Sequence, residues 1–112
     1  MSWQASAPVP APLRLHEATV RAEWVDYNGH LTEWAYLLMV GDDSDAFFRF
    51  LGVDEDYRAS GRSIYTVETH MHHLREVPLG ERLRLSLRVL GVDDKRLHIA
   101  HEMHCGPGAL VA

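Results

Sequence analysis

The chain has 112 residues, of which 46% are hydrophobic and 24% charged, and a formal net charge of −5 at pH 7. This length supports one domain with a single modest core, and the acidic balance argues against broad binding to nucleic acid or an anionic membrane. The single cysteine, Cys105, fits a reducing compartment, and no apolar run approaches the roughly 18 residues that span a bilayer. We therefore expect a cytoplasmic protein.

The first 12 residues, in which prolines alternate with small residues, are typical of a flexible tail. We expect one domain from residue 13 to residue 112. Its opening stretch, residues 13–25, alternates apolar and polar side chains, which is the period of a strand with one buried face. The buried face would carry Ala18, Val20, Ala22 and Trp24.

A long helix follows the first strand, because the apolar period changes from two residues to three, four and seven between Glu33 and Leu51. Thr32 suits the N-cap position and Gly52 suits the end of the helix. A helix of about 19 residues would be roughly 28 Å long, enough to cross a sheet. The apolar stripe predicted to pack on that sheet consists of Trp34, Leu37, Leu38, Gly41, Phe48 and Leu51.

Three more alternating runs predict antiparallel strands after the helix, in residues 63–77, 82–92 and 97–105. Turn residues separate them, at Pro78-Leu79-Gly80 and at Asp93-Asp94. Residues 109–112 resemble the opening of one further strand. The predicted buried faces carry Tyr65, Val67 and Met71 in the first run, Leu83, Leu85, Leu87 and Val89 in the second, and Leu97, Ile99, His101, Met103 and Cys105 in the third. One helix on one face of a curled sheet is an α+β architecture.

The junction between the first strand and the helix concentrates residues suited to acyl transfer. Asp26, Gly29 and His30 lie just before the helix, where exposed N–H groups stabilise negative charge. Asp26 stands close enough to act on a group polarised there, as a nucleophile or as a base. It could instead cap the helix.

The run W-V-D-Y-N-G-H-L-T-E-W-A-Y-L around this junction resembles the hotdog-fold acyl-CoA thioesterases of the 4-hydroxybenzoyl-CoA thioesterase-like branch. The runs D-Y-N-G-H, L-G-V-D, Y-T-V-E-T-H, L-R-E-V-P-L-G-E and D-D-K-R-L-H are similar to the betainyl-CoA thioesterases of carnitine breakdown. The resemblance covers residues 13–112. It implies a curled antiparallel sheet around one long helix, with the last strand truncated here.

The resemblance also implies hydrolysis of an acyl-CoA thioester to a free carboxylic acid and CoA, with glycine betaine as the product from betainyl-CoA. No cofactor other than water is expected. The protein is expected to form a homodimer or a dimer of dimers, because in this fold two subunits complete each site.

Residue roles follow from the same resemblance. Asp26 corresponds to the catalytic carboxylate, and the N–H groups of Gly29 and His30 would hold the thioester oxygen as it becomes an oxyanion. Asn28 would orient the carbonyl or the attacking water. Structural alternatives remain open: a turn glycine at Gly29, an Asx turn at Asn28, and a buried hydrogen bond at His30.

A second set of residues would bind substrate. Glu68 and His70 lie two apart on a predicted strand, so they share a face that could meet the catalytic aspartate of a partner subunit. Trp34 and Tyr65, with Tyr27 and Tyr36, could cage a quaternary ammonium group. A half-exposed polar face and core packing are the respective alternatives. The spacing of His70 and His72 fits a zinc-binding strand, but no third ligand is evident, so no metal is predicted.

Two other functions remain open. An enoyl-CoA hydratase of the same fold typically places its Asp and His one residue further apart than Asp26 and His30. A non-catalytic acyl-CoA-binding module is compatible with Thr32, where many relatives have Asn, and with the truncated strand. Helix carboxylates could also replace Asp26 as the acid, or form a solvated face. These are Asp42, Asp43 and Asp45.

Overall fold

A computed structural model describes residues 12–53, 59, 61, 64–106 and 109–112. In chain order these form strand β1 (Leu13–Thr19), a short 3-10 turn (Ala22–Trp24), helix α1 (Glu33–Leu51), and strands β2 (Arg82–Val92), β3 (Leu97–Cys105) and β4 (Ala109–Leu110). The predicted flexible tail lies outside the described residues, apart from its last residue.

The four strands form one antiparallel sheet in the order β1-β2-β3-β4. The predicted hairpin between β2 and β3 is confirmed, and the Asp93 carboxylate accepts hydrogen bonds from the N–H groups of Lys95 and Arg96. Leu83, Leu85 and Leu87 are buried beneath α1 as predicted, while Val89 is 36% exposed near the end of β2.

Helix α1 has the predicted bounds, but it buries a different face. Thr32 is the N-cap residue, and Gly52 ends the helix at a φ of 88°. The predicted stripe was wrong in its first half, because Trp34, Leu37 and Leu38 are 54%, 51% and 38% exposed. The face that packs on the sheet repeats at spacings of three and four. It consists of Ala35, Tyr36, Met39, Asp43, Phe47 and Phe50.

The first strand is shorter than predicted. β1 ends at Thr19, and the chain then turns through the 3-10 segment, which leaves Ala22 exposed and Trp24 buried. The strand ends where Val20 forms backbone hydrogen bonds with Glu81 and Gly80, at the turn before β2.

The predicted strand at residues 63–77 is not observed in its described part, residues 64–77. Its pattern suits a strand, but a strand requires a hydrogen-bonded neighbour. Among the described residues such backbone bonds are present only near the end of the segment, where the Leu74 and Arg75 N–H groups donate to the Val111 carbonyl and the Val77 carbonyl accepts from Leu31. Tyr65 and Val67, predicted to be buried, are each 80% exposed.

Two clusters of buried side chains form the core between α1 and the sheet. The larger one includes Trp24, Tyr36, Met39 and Leu85, and the smaller one includes Phe47 and Leu87. The larger cluster also underlies the loop that leads into α1. Of the helices in the described part of the chain, none is both long and apolar enough to cross a bilayer.

Candidate functional site

The loop from Asp26 to His30 is a closed turn. A bridge between Val25 and Leu31 joins its ends, the Asp26 N–H donates to the His30 carbonyl, and the Gly29 N–H donates to the Asp26 carbonyl. Gly29 adopts a φ of 76°, a left-handed conformation that other residues adopt at a cost. The turn glycine expected from the sequence is therefore present.

The Asp26 carboxylate is exposed at this loop and fixed on one side. Its Oδ1 atom accepts hydrogen bonds from the N–H groups of Asn28, at 2.9 Å, and His30, at 3.3 Å. Its Oδ2 atom accepts none from the described part of the chain, so one oxygen remains available to a ligand or to water. Asp26 does not cap α1, which begins after Thr32.

The two predicted oxyanion donors already have partners. The Gly29 N–H donates to the Asp26 carbonyl and the His30 N–H donates to the Asp26 carboxylate. Both precede the helix, and the loop turns their N–H groups inward. Their role toward a substrate therefore stays a prediction, as does that of Asn28, whose own N–H completes the Asx turn.

A second segment, Glu76–Leu79, lies against the loop. The Leu31 N–H donates to the Val77 carbonyl at 2.7 Å, and the Leu79 N–H donates to the Gly29 carbonyl at 3.1 Å. This pairing places the Glu76 carboxylate 3.6 Å from Nε2 of His30. The histidine of the loop and the carboxylate of Glu76, 46 positions apart in the sequence numbering, thus meet at one site.

An open cleft of about 370 Å³ lies between the loop, α1 and the Glu76 segment. Its lining consists of Asp26, Asn28, His30, Leu31, Tyr36, His73, Leu74, Arg75 and Glu76. The Tyr36 hydroxyl donates to the Arg75 carbonyl at 2.9 Å, and the ring of His73 contacts the Tyr36 ring edge-on at 4.7 Å. Burial raises the pKa of the Tyr36 phenol above its ordinary 10.0, and Cys105 and Glu76 add to that effect.

The four predicted substrate-binding residues do not line this cleft. Glu68 and His70 do share a side, and they hydrogen-bond to each other at 3.0 Å, but both are exposed. Trp34 and Tyr65 are exposed as well. Their role in substrate binding stays a prediction, and it concerns a site that two subunits would form together.

The sequence did not single out His73, Arg75 or Glu76, and it named Tyr36 only as part of a cation cage. Glu76 lies in the run L-R-E-V-P-L-G-E, which was noted for its resemblance. What brings these residues to Asp26 is the pairing of the Val77 segment with the loop. That pairing joins residues distant in the chain, so no local pattern reveals it.

Asp43 is fully buried on the sheet side of α1, which corrects the expectation of a solvated acidic face. Its Oδ2 atom lies 2.7 Å from Nδ1 of His101, and Nε2 of that ring lies 3.1 Å from Oγ of Ser44. These residues do not line the cleft beside Asp26. We interpret these hydrogen bonds as a structural connection that fixes α1 against β3.

Residues 20–112 match the model of the thioesterase-like superfamily. The chain is 55% identical over 101 residues to an L-carnitine dehydrogenase/betainyl-CoA thioesterase of Agrobacterium fabrum, covering 90% of this chain and 21% of that protein. It is 44% identical over 98 residues to a betainyl-CoA thioesterase of Pseudomonas aeruginosa, covering 87% and 61% respectively. The chain thus spans about a fifth of the length of the Agrobacterium protein.

Two solved structures share the fold. A proposed thioesterase from Pseudomonas putida KT2440 superposes with a TM-score of 0.82 at 39% identity, covering 93% of this chain and 68% of that one. A protein from Staphylococcus aureus, solved in complex with CoA, superposes with a TM-score of 0.79 at 24% identity, covering 94% and 68%. The predicted hotdog fold is confirmed by these likenesses and by the single helix on an antiparallel sheet.

Proposed function

Because this chain belongs to the thioesterase-like superfamily, we propose that it hydrolyses an acyl-CoA thioester to a free acid and CoA, with betainyl-CoA as the preferred substrate. The main support for this proposal is the position of the Asp26 carboxylate. One of its oxygens is held by the Asn28 and His30 N–H groups, and it lines an open cleft. A carboxylate oriented in this way can attack, or activate water, without first reorganising.

Two routes use the same carboxylate. In the first, Asp26 accepts a proton from water as the water attacks the thioester carbonyl. In the second, Asp26 attacks the carbonyl itself, the CoA thiolate leaves, and water then hydrolyses the mixed anhydride. Either route releases one carboxylic acid and one CoA, and neither requires a metal or an organic cofactor.

A non-catalytic acyl-CoA-binding module is the second candidate. It is favoured by one observation: the Gly29 and His30 N–H groups are engaged inside the loop rather than free for an oxyanion. A catalyst would need these donors to turn outward, or would need donors from elsewhere. A module that only binds acyl-CoA would need neither.

We also propose that the working form is at least a homodimer. Support comes from two surfaces that a second copy would cover. One is the apolar side of the first half of α1 that faces away from the sheet, where Trp34, Leu37 and Leu38 are exposed. The other is the described residues 64–73, whose backbone joins no strand in the described part of the chain. Pairing there would place Glu68 and His70 at a subunit boundary. Sedimentation velocity should show a dimer or larger species at micromolar concentration, and a monomer that still hydrolyses acyl-CoA would contradict this.

The activity is tested by thiol release from betainyl-, short-chain and aromatic acyl-CoAs, followed with a chromogenic thiol reagent. We expect release from betainyl-CoA with a kcat/KM at least tenfold above that for the aromatic substrates. A folded protein that binds CoA but releases no thiol from any substrate would leave the binding module as the function.

A further inference from the structure

The wall of the cleft that faces the Asp26 loop contributes a second carboxylate. Backbone pairing fixes its position, because Val77 and Leu79 are hydrogen-bonded to Leu31 and Gly29. Glu76 precedes that pairing directly and lines the cleft. Its Oε2 atom lies 3.6 Å from Nε2 of His30, and its side chain is 78% exposed, so it remains open to a ligand from the cleft side.

The charges around the cleft are predominantly negative. Asp26 and Glu76 line it together with one arginine, Arg75. In the described residues Glu76 has no lysine or arginine within ion-pair distance, and its ion-pair partner there is the imidazole of His30. A carboxylate without a permanently charged partner is the group that attracts a cation entering the cleft.

A carboxylate is not required there for the hydrolysis itself, since Asp26 supplies the one that either route uses. An extra negative charge close to the reacting carbonyl would even oppose the oxyanion that forms during hydrolysis. Its presence is useful if the acyl group carries a positive charge. The pKa of the Tyr36 phenol is raised first by burial, then by Cys105 and then by Glu76, so the Glu76 charge acts on a group inside the cleft.

Resting on the proposed function, we propose that Glu76 is a specificity-determining residue that selects acyl groups carrying a fixed positive charge. The exposed ring of His73, which contacts the largely buried Tyr36 ring edge-on, offers apolar surface to methyl groups around that charge. A quaternary ammonium group is held by such a combination because it has no proton to donate and is weakly hydrated.

The test compares betainyl-CoA with its neutral isostere, 3,3-dimethylbutanoyl-CoA, in which a carbon atom replaces the quaternary nitrogen. Glu76→Gln keeps the size of the side chain and removes its charge. The matched control is Glu102→Gln, which makes the same change of net charge at an exposed β3 residue outside the cleft. The quantity measured is the ratio of kcat/KM for the cationic substrate to that for the neutral one.

We expect Glu76→Gln to lower this ratio about fivefold, the effect of one partly solvated charge pair, while Glu102→Gln leaves it at the wild-type value. Raising the salt concentration should lower the wild-type ratio more than the ratio of Glu76→Gln, which keeps only the Asp26 charge in the cleft. Turnover of both substrates with the same ratio in Glu76→Gln as in wild type would refute this inference alone. No turnover of either substrate by the wild type would refute the proposed function, and the inference with it.

Discussion

Removing the Asp43 carboxylate should destabilise the fold more than removing any other acidic side chain of α1. Asp43→Ala leaves the largely buried His101 ring facing an empty space where its Nδ1 partner was. A carboxylate oxygen can only accept, so the His101 Nδ1–H group donates the 2.7 Å hydrogen bond to Oδ2 of Asp43. The substitution therefore strands a buried donor and opens a small cavity.

The magnitude follows from two contributions. A hydrogen bond that involves a charged group contributes about 1.5 to 3 kcal/mol, and a buried donor left without a partner costs about 1 to 3 kcal/mol. These contributions overlap, so we expect a loss of about 3 kcal/mol in the free energy of unfolding. The loss should be smaller than the full cost of breaking a buried ion pair. Asp43 Oδ1 already lacks a hydrogen-bond partner in the described structure, so removing the carboxylate also removes an unpaired buried oxygen.

Urea unfolding, followed by tryptophan fluorescence, to which the buried Trp24 contributes, measures this loss. Asp45→Ala on the exposed side of the same helix is the control, and it should lie within about 0.5 kcal/mol of wild type. The double variant Asp43→Ala/His101→Ala should lose about 2 kcal/mol less than the sum of the single losses. An Asp43→Ala protein as stable as Asp45→Ala would refute the proposed stabilising role of the Asp43–His101 hydrogen bond.

Three further outcomes are expected. Gly52→Ala should lower the free energy of unfolding by about 1 to 2 kcal/mol in urea titrations, because Gly52 has a φ of 88°. Gly41→Ala inside α1 should raise it by about 1 kcal/mol, because alanine favours the helix and the added methyl group meets no other atom. The same change in the free energy of unfolding for both variants would contradict this. Tyr36→Phe should lower stability by about 1 kcal/mol at neutral pH, since the Arg75 carbonyl loses its donor. The raised pKa means that Tyr36 holds its proton more tightly in the folded protein than in the unfolded chain, so its stabilisation is lost as pH rises above 10.0. The melting temperature of Tyr36→Phe should therefore decline less steeply with pH in that range than that of wild type. Parallel declines of the two melting temperatures would refute the assignment.

The bounds of α1 could be predicted from its cap, its stop and its period, but its buried face could not. The first half of the helix is apolar on nearly every side, so two stripes compete for the sheet. The stripe that is buried contains Asp43, which a hydrophobic pattern rejects. Only the pairing of Asp43 with His101, 58 positions away, makes that face suitable for burial.

Only part of the candidate site could be predicted from the sequence. The sequence identified the loop that carries Asp26, because its residue types are unusual and the family resemblance centres on them. It could not identify Glu76 or His73, since their place beside Asp26 depends on backbone bonds between distant segments. The failure of the predicted strand at 64–77 has the same origin, because alternation reports a suitable surface but not the presence of a neighbouring strand.

In the function proposed above, the Asp26 carboxylate performs the hydrolysis. The most direct measurement is thiol release from betainyl-CoA by wild type, Asp26→Asn and the control Asp45→Asn, with CoA binding measured in parallel by calorimetry. We predict that Asp26→Asn binds CoA like wild type but loses at least ~100-fold in kcat, while Asp45→Asn keeps wild-type turnover. An Asp26→Asn protein that retains wild-type kcat would contradict the claim and place the chemistry on another group.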